Sequence, residues 1–90
     1  MALKIIITGA SSGIGQALAK EYDKKDVVIG LLARRKDKLI ELQKTLSCKS
    51  LIFSVDVTDL AQCRRAAEEF MALHGTPDIV IANAGISSGT

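Results

Sequence analysis

The sequence predicts an α/β chain built on a parallel sheet, and three observations carry that prediction. Four short apolar runs alternate with three segments of helical periodicity, in the order βαβαβαβ. The runs are apolar at consecutive positions, as in Ile5-Ile6-Ile7 and Ile79-Val80-Ile81. That suits strands buried on both faces, not the alternation of a half-solvated sheet. Distinctive short motifs follow the runs at their C-terminal ends. Strand–helix–strand units of this kind close by right-handed crossovers. The expected architecture is a three-layer parallel sheet of strand order 3-2-1-4.

Lys4 to Thr8 reads as the first strand and Thr8-Gly9-Ala10-Ser11-Ser12-Gly13-Ile14-Gly15 as the turn after it. Ser12 or Gly13 is expected to cap the first helix, Gln16 to Tyr22. Ile14, Leu18 and Tyr22 recur at a spacing that puts them on one face. Asp23-Lys24-Lys25-Asp26 is a polar turn, and Val27 to Leu32 is the second strand. The second helix, Asp37 to Leu46, carries Leu39, Leu42 and Leu46 at helical spacing. Ser50 to Val55 is the third strand. Thr58 is the expected cap of the third helix, Leu60 to Leu73, whose apolar stripe is Leu60, Cys63, Ala67, Phe70 and Met71. Gly75-Thr76-Pro77 stops that helix, and Asp78 to Ala82 is the fourth strand. Together these elements make the first half of a doubly wound, Rossmann-like sheet plus the strand beyond its switch point.

Composition narrows the function classes. Ninety residues make one domain at most. With 48% hydrophobic and 24% charged residues the balance is that of an ordinary globular chain. A net charge of +2 argues for neither nucleic acid nor an anionic membrane, and 3% aromatics are too few for base-stacking platforms. No apolar run approaches the ~20 residues of a membrane span, and nothing resembles a signal peptide. A cytoplasmic location is the expectation. Cys48 and Cys63 are isolated, with no Cys/His cluster around them. They read as two reduced thiols, with a disulfide or metal role as the alternative.

Ligands of doubly wound sheets bind beyond the carboxyl ends of the strands, and four motifs of this chain fall there. In the glycine turn, Gly9 permits a tight turn, Gly13 lets the backbone approach a pyrophosphate, and Gly15 lets the helix pack close to the strand. Ser11 and Ser12 can add hydroxyl donors to phosphate. The candidate contacts here are Gly9, Ser11, Ser12, Gly13, Ile14 and Gly15. After the second strand comes Ala33-Arg34-Arg35. A carboxylate at that point would bind a ribose 2′-hydroxyl, whereas Ala33 supplies none and the two guanidiniums suit a 2′-phosphate. NADP is thus expected over NAD; the competing reading makes Arg34, Arg35, Lys36 and Lys38 a solvated basic face.

Asp56-Val57 follows the third strand. Its carboxylate is placed to accept from an exocyclic amine such as that of adenine, and the next backbone N–H can donate. The alternative is an acidic residue interacting with a helix N-terminus. Asn83-Ala84-Gly85 follows the fourth strand: the small residues leave room for a ribose, and the Asn83 amide can tie strand ends together. His74 reads as a helix C-terminal cap and Tyr22 as a packing residue. No residue is assigned to a metal.

Thr8-Gly9-Ala10-Ser11-Ser12-Gly13-Ile14-Gly15 resembles the TGxxxGIG signature of the short-chain dehydrogenase/reductase (SDR) family, backed by Asp56-Val57-Thr58 and Asn83-Ala84-Gly85 in order. The resemblance covers the whole chain. It implies NAD(P)-dependent hydride transfer to or from a small-molecule carbonyl or alcohol. It also implies a basic residue where Arg34 stands in NADPH-preferring members, and a place for Lys38 near the 2′-phosphate. The family's serine and Tyr-x-x-x-Lys pair have no counterpart here, since Asp26 stands where lysine would follow Tyr22, the single tyrosine. Residues 1–90 are therefore expected to be the N-terminal portion of a dinucleotide-binding domain, the remainder of the family fold being absent, with no turnover on their own. The alternative is a non-catalytic NADP-binding or interaction module complete at this length. The fourth strand is expected to form an open apolar edge, so that the chain self-associates or forms a homo-oligomer.

Overall fold

The computed structural model describes residues 3–82. The elements are β1 (Leu3–Thr8), α1 (Gly13–Glu21), β2 (Val27–Ala33), α2 (Lys36–Thr45), β3 (Lys49–Ser54), α3 (Leu60–His74) and β4 (Ile79–Ala82). The sheet runs β3-β2-β1-β4 with every pairing parallel, as the unbroken apolar runs require. β2 is buried at all seven positions. Pleating sends its side chains alternately to two cores. Ile29 and Leu31 join Ile5 and Ile7, packed by Ala19 of α1 and by Leu39 and Leu42 of α2. Val28 and Leu32 join Ile6 and Phe53 beneath Ala66 and Phe70 of α3. The sheet is thus the middle layer of three.

Gly30, in the centre of β2, lets the Phe70 ring of α3 pack close over the strand. A β-carbon there would stand 3.0 Å from the Phe70 ring, which is fully buried over the strand. The Phe70 ring also meets His74 at 5.6 Å between centroids.

Four expectations are corrected. Asp59, not Thr58, caps α3: its side chain accepts from the Ala61 and Gln62 N–H groups, because the Thr58 hydroxyl is turned back to Asp56. The buried stripe of α3 centres on Ala66 and Phe70, while Leu60 is 81% exposed and Met71 39%. Ile14 is 60% exposed and does not share the packed face of Leu18 and Tyr22, since it lies in the first turn of α1. At the end of α3 the cap is Gly75, whose N–H bonds the Met71 carbonyl at a φ of 87°; His74 stacks against Phe70 instead. α2 also begins one residue earlier than its sequence pattern suggests, at Lys36.

At the end of the sheet away from the motifs, the Asp23 carboxylate closes the fold. It accepts the Ser47 N–H at 2.9 Å and the Cys48 N–H at 2.8 Å, tying the turn before β2 to the loop before β3. Those N–H groups hold the Asp23 carboxyl below the usual carboxylate range. Cys48 is buried beside it, and burial pushes its thiol up to about 11.

Candidate functional site

The turn from β1 to α1 is built from three constraints. Gly9 has a φ of 69°, a left-handed conformation in which a β-carbon is costly. The Ala10 N–H bonds the Leu32 carbonyl at 3.1 Å, and the Ala10 side chain is fully buried, so the turn is anchored to the end of β2. Ser12 caps α1 as expected. Its Oγ accepts the Gly15 N–H at 3.1 Å and donates to the Gly9 carbonyl at 2.9 Å. This hydroxyl therefore serves the turn itself, where the sequence suggested a phosphate donor. Gln16 reaches back to the Ser11 carbonyl at 3.1 Å.

Two backbone donors remain in the first turn of α1. The Gly13 and Ile14 N–H groups form no hydrogen bond with the described residues, as the first turn of a helix leaves them. A β-carbon added to Gly13 would meet nothing within 4 Å. Open space at Gly13, two amides without a described partner and the positive end of the α1 dipole coincide, which is the requirement for holding a phosphate. A pyrophosphate fits this cradle.

The ends of β2 and β3 are stitched together beside it. The Val55 N–H bonds the Ala33 carbonyl at 2.9 Å, and the Ser54 hydroxyl donates to the Arg34 carbonyl at 3.1 Å. The two arginines part company here. Arg35 pairs with Asp37 at 3.1 Å, both exposed. The Arg34 guanidinium forms no ion pair or hydrogen bond among the described residues and is exposed, its charge acting on Asp56. Lys38, in the first turn of α2, lines a groove of about 280 Å³ with Gln16 and Lys20 of α1.

Asp56 accepts at a single oxygen, Oδ1, from the Thr58 hydroxyl at 2.6 Å and the Thr58 N–H at 3.0 Å. Those bonds, with the Arg34 charge, keep its carboxyl below the usual range. Gln62 holds the Asp56 N–H at 2.8 Å through its Oε1 and is itself held by Asp59 at 3.2 Å. Cys63 lies beneath this turn, its Sγ 3.6 Å from the Val57 carbonyl, and burial raises its thiol pKa. Asn83, Ala84 and Gly85 lie outside the described residues.

Three of the four motifs thus meet at the C-terminal edge of the sheet. Ala10, Gln62 and the Asp56–Thr58 bonds were missed from sequence. The Asp-x-Thr spacing is a local turn signal that could have shown the last of these. A hollow of about 560 Å³ between β3 and α3 is lined by none of the predicted site residues. Among the described residues no group of His, Cys, Asp or Glu is placed to hold a metal ion, and no helix is long and apolar enough to cross a membrane.

The fold and this edge define a Rossmann-like α/β unit. The short chain dehydrogenase family profile matches residues 3–90, and the chain belongs to that family. It is 40% identical over 86 residues to the 11-beta-hydroxysteroid dehydrogenase-like 2 of Arabidopsis thaliana, covering 91% of this chain and 28% of that relative. Among solved structures it resembles L-sorbose reductase from Gluconobacter frateurii, complexed with NADPH and L-sorbose. That likeness has a TM-score of 0.77 and 32% identity, over 88% of this chain and 32% of the other. It also resembles the 3-ketoacyl-(acyl-carrier-protein) reductase of Brucella melitensis complexed with NADH, at a TM-score of 0.78 and 26% identity, over 87% and 32%. The chain spans about a third or less of the length of each of these proteins.

Proposed function

We propose that the C-terminal edge of this sheet binds NADP(H), and that the whole protein is an oxidoreductase acting on a small-molecule carbonyl or alcohol. The observation that carries the reading is the coincidence of the Gly13 and Ile14 N–H groups, which have no partner among the described residues, with open space at Gly13. When bound, the nicotinamide supplies or accepts the hydride. The residues of this chain hold the other end of the molecule. Gly13 and Ile14 receive the pyrophosphate, with Gly9 and Gly15 shaping the turn and Ser11 and Ser12 at its rim. Arg34 meets the ribose 2′-phosphate, with Arg35 and Lys38 flanking it. Asp56 and Val57 meet the adenine, and Asn83, Ala84 and Gly85 the ribose side.

The choice of NADP over NAD rests on Ala33 and Arg34. No carboxylate stands at the end of β2 to repel a 2′-phosphate, and Arg34 is the arginine not already committed to Asp37. Solved relatives are known with either cofactor, complexed with NADPH in one case and NADH in another, so the assignment belongs to this chain's own residues. Within residues 1–90 no Tyr-x-x-x-Lys pair occurs, and these residues alone are expected to bind cofactor without turnover. The outer edge of β4, with Val80 60% exposed, supports self-association of the chain.

Titration of NADPH and NADH against the wild type and Arg34→Ala tests the cofactor assignment. Loss of a charge-assisted contact is expected to weaken NADPH about 10–150-fold and leave NADH nearly unchanged. Equal weakening of both would remove Arg34 from the 2′-phosphate.

A further inference from the structure

We propose that Thr58 is a positioning residue that makes the Asp56–Val57 turn selective for a 6-aminopurine base. This deepens the reading above and rests on it. Thr58 satisfies one carboxylate oxygen twice, by hydroxyl and by N–H, and leaves Asp56 Oδ2 with no partner among the described residues. The Val57 N–H likewise has no partner among the described residues. Gln62, gripping the Asp56 N–H, fixes the main chain from the other side.

The result is a carboxylate held at one oxygen, with its other oxygen open as an acceptor and a main-chain donor open on the next residue. Adenine presents the complementary pair on its Watson–Crick edge, an amine donor at N6 and an acceptor at N1. Hypoxanthine and guanine present the reverse, a carbonyl oxygen and an N–H. Against the reverse pattern, Oδ2 would face a carbonyl oxygen and the Val57 N–H another donor. Unpaired polar groups of that kind are what a hydrogen-bonding site uses to reject an analogue. The selectivity depends on the carboxylate not turning. A carboxylate free to rotate offers either oxygen over a range of angles and loses its register with the Val57 N–H. The Thr58 hydroxyl bond, at 2.6 Å, is the shorter of the two that stop it.

The test compares NADPH with its deaminated analogue, nicotinamide hypoxanthine dinucleotide phosphate. Binding of both is measured to the wild type, Thr58→Val, Thr58→Ala and Thr58→Ser. The wild type is expected to favour NADPH by about tenfold or more. In the two variants lacking the hydroxyl that ratio is expected to fall to within about threefold, and Thr58→Ser is expected to restore it. A residue that only braces the turn would weaken both ligands equally and leave the ratio standing, and that result in Thr58→Val and Thr58→Ala overturns the proposal. A wild type that binds NADPH without base preference overturns it too, while the pyrophosphate reading survives. A wild type that binds neither ligand removes both.

Discussion

Gly15 packs so tightly under the Gly9 carbonyl that a β-carbon on it would collide with that oxygen and lie 2.8 Å from the Ala10 Cα. Both neighbours are main chain, so no side-chain rotation can relieve the clash. Gly13, two residues earlier, is the reverse case, with nothing of the protein within 4 Å of the same added atom. One glycine is required by the fold, and the other leaves room for something outside it.

The two positions should therefore respond oppositely to alanine. Gly15→Ala is expected to lower stability by about 1–3 kcal/mol or more through forced backbone movement, read as a drop in urea midpoint. Gly13→Ala should leave stability unchanged or raise it by up to about 1 kcal/mol, since alanine suits a helix better than glycine. Its NADPH affinity should nevertheless fall, because the β-carbon enters the space assigned to the pyrophosphate. Unimpaired NADPH binding in Gly13→Ala would place the phosphate elsewhere.

Stability should depend on Asp23 in a pH-dependent way. Its carboxyl is held low in the folded chain by the Ser47 and Cys48 N–H groups. A depressed folded pKa contributes stability that is present above the unfolded value of ~3.9 and is lost as pH falls through the folded pKa. Asp23→Asn should thus lower the urea midpoint at pH 7, and the gap from wild type should narrow as the pH is taken below about 4. A gap constant across that range would mean that the carboxylate charge plays no part in the clamp.

Much of this architecture was legible in the sequence because it rests on local signals. Consecutive apolar residues marked buried parallel strands, the alternation of elements fixed the sheet order, and the glycine turn marked the strand-to-helix junction. What escaped was set by partners distant in sequence. Asp23 looked like any polar turn residue, since Ser47 and Cys48 lie 24 and 25 residues away. Gly30 was silent because its purpose is the Phe70 ring from another layer. The α3 stripe was misplaced for a related reason. Helical spacing alone admits several faces, and the fit of Phe70 over Gly30 selects the one bearing Ala66. At the site, the turn glycines were readable, but the division of labour between Arg34 and Arg35 needed the position of Asp37.

The β4 edge makes its own prediction. Val80 is 60% exposed and the outer side of β4 pairs with no described strand. An uncharged apolar edge is a template for pairing. The wild-type chain should show a concentration-dependent rise in mass by light scattering, and Val80→Lys should suppress it. A wild type that stays monomeric at high concentration would count against an associating edge.

A dinucleotide is expected to be held at the Gly13–Ile14 amides, and an amide chemical-shift titration with NADPH reads those groups directly. The expected result is saturable movement of the Gly13, Ile14, Arg34 and Val57 amide signals, with those of Asp26 and Ser47 at the opposite end of the sheet unmoved. Saturating NADPH with the Gly13 and Ile14 signals in place would contradict it.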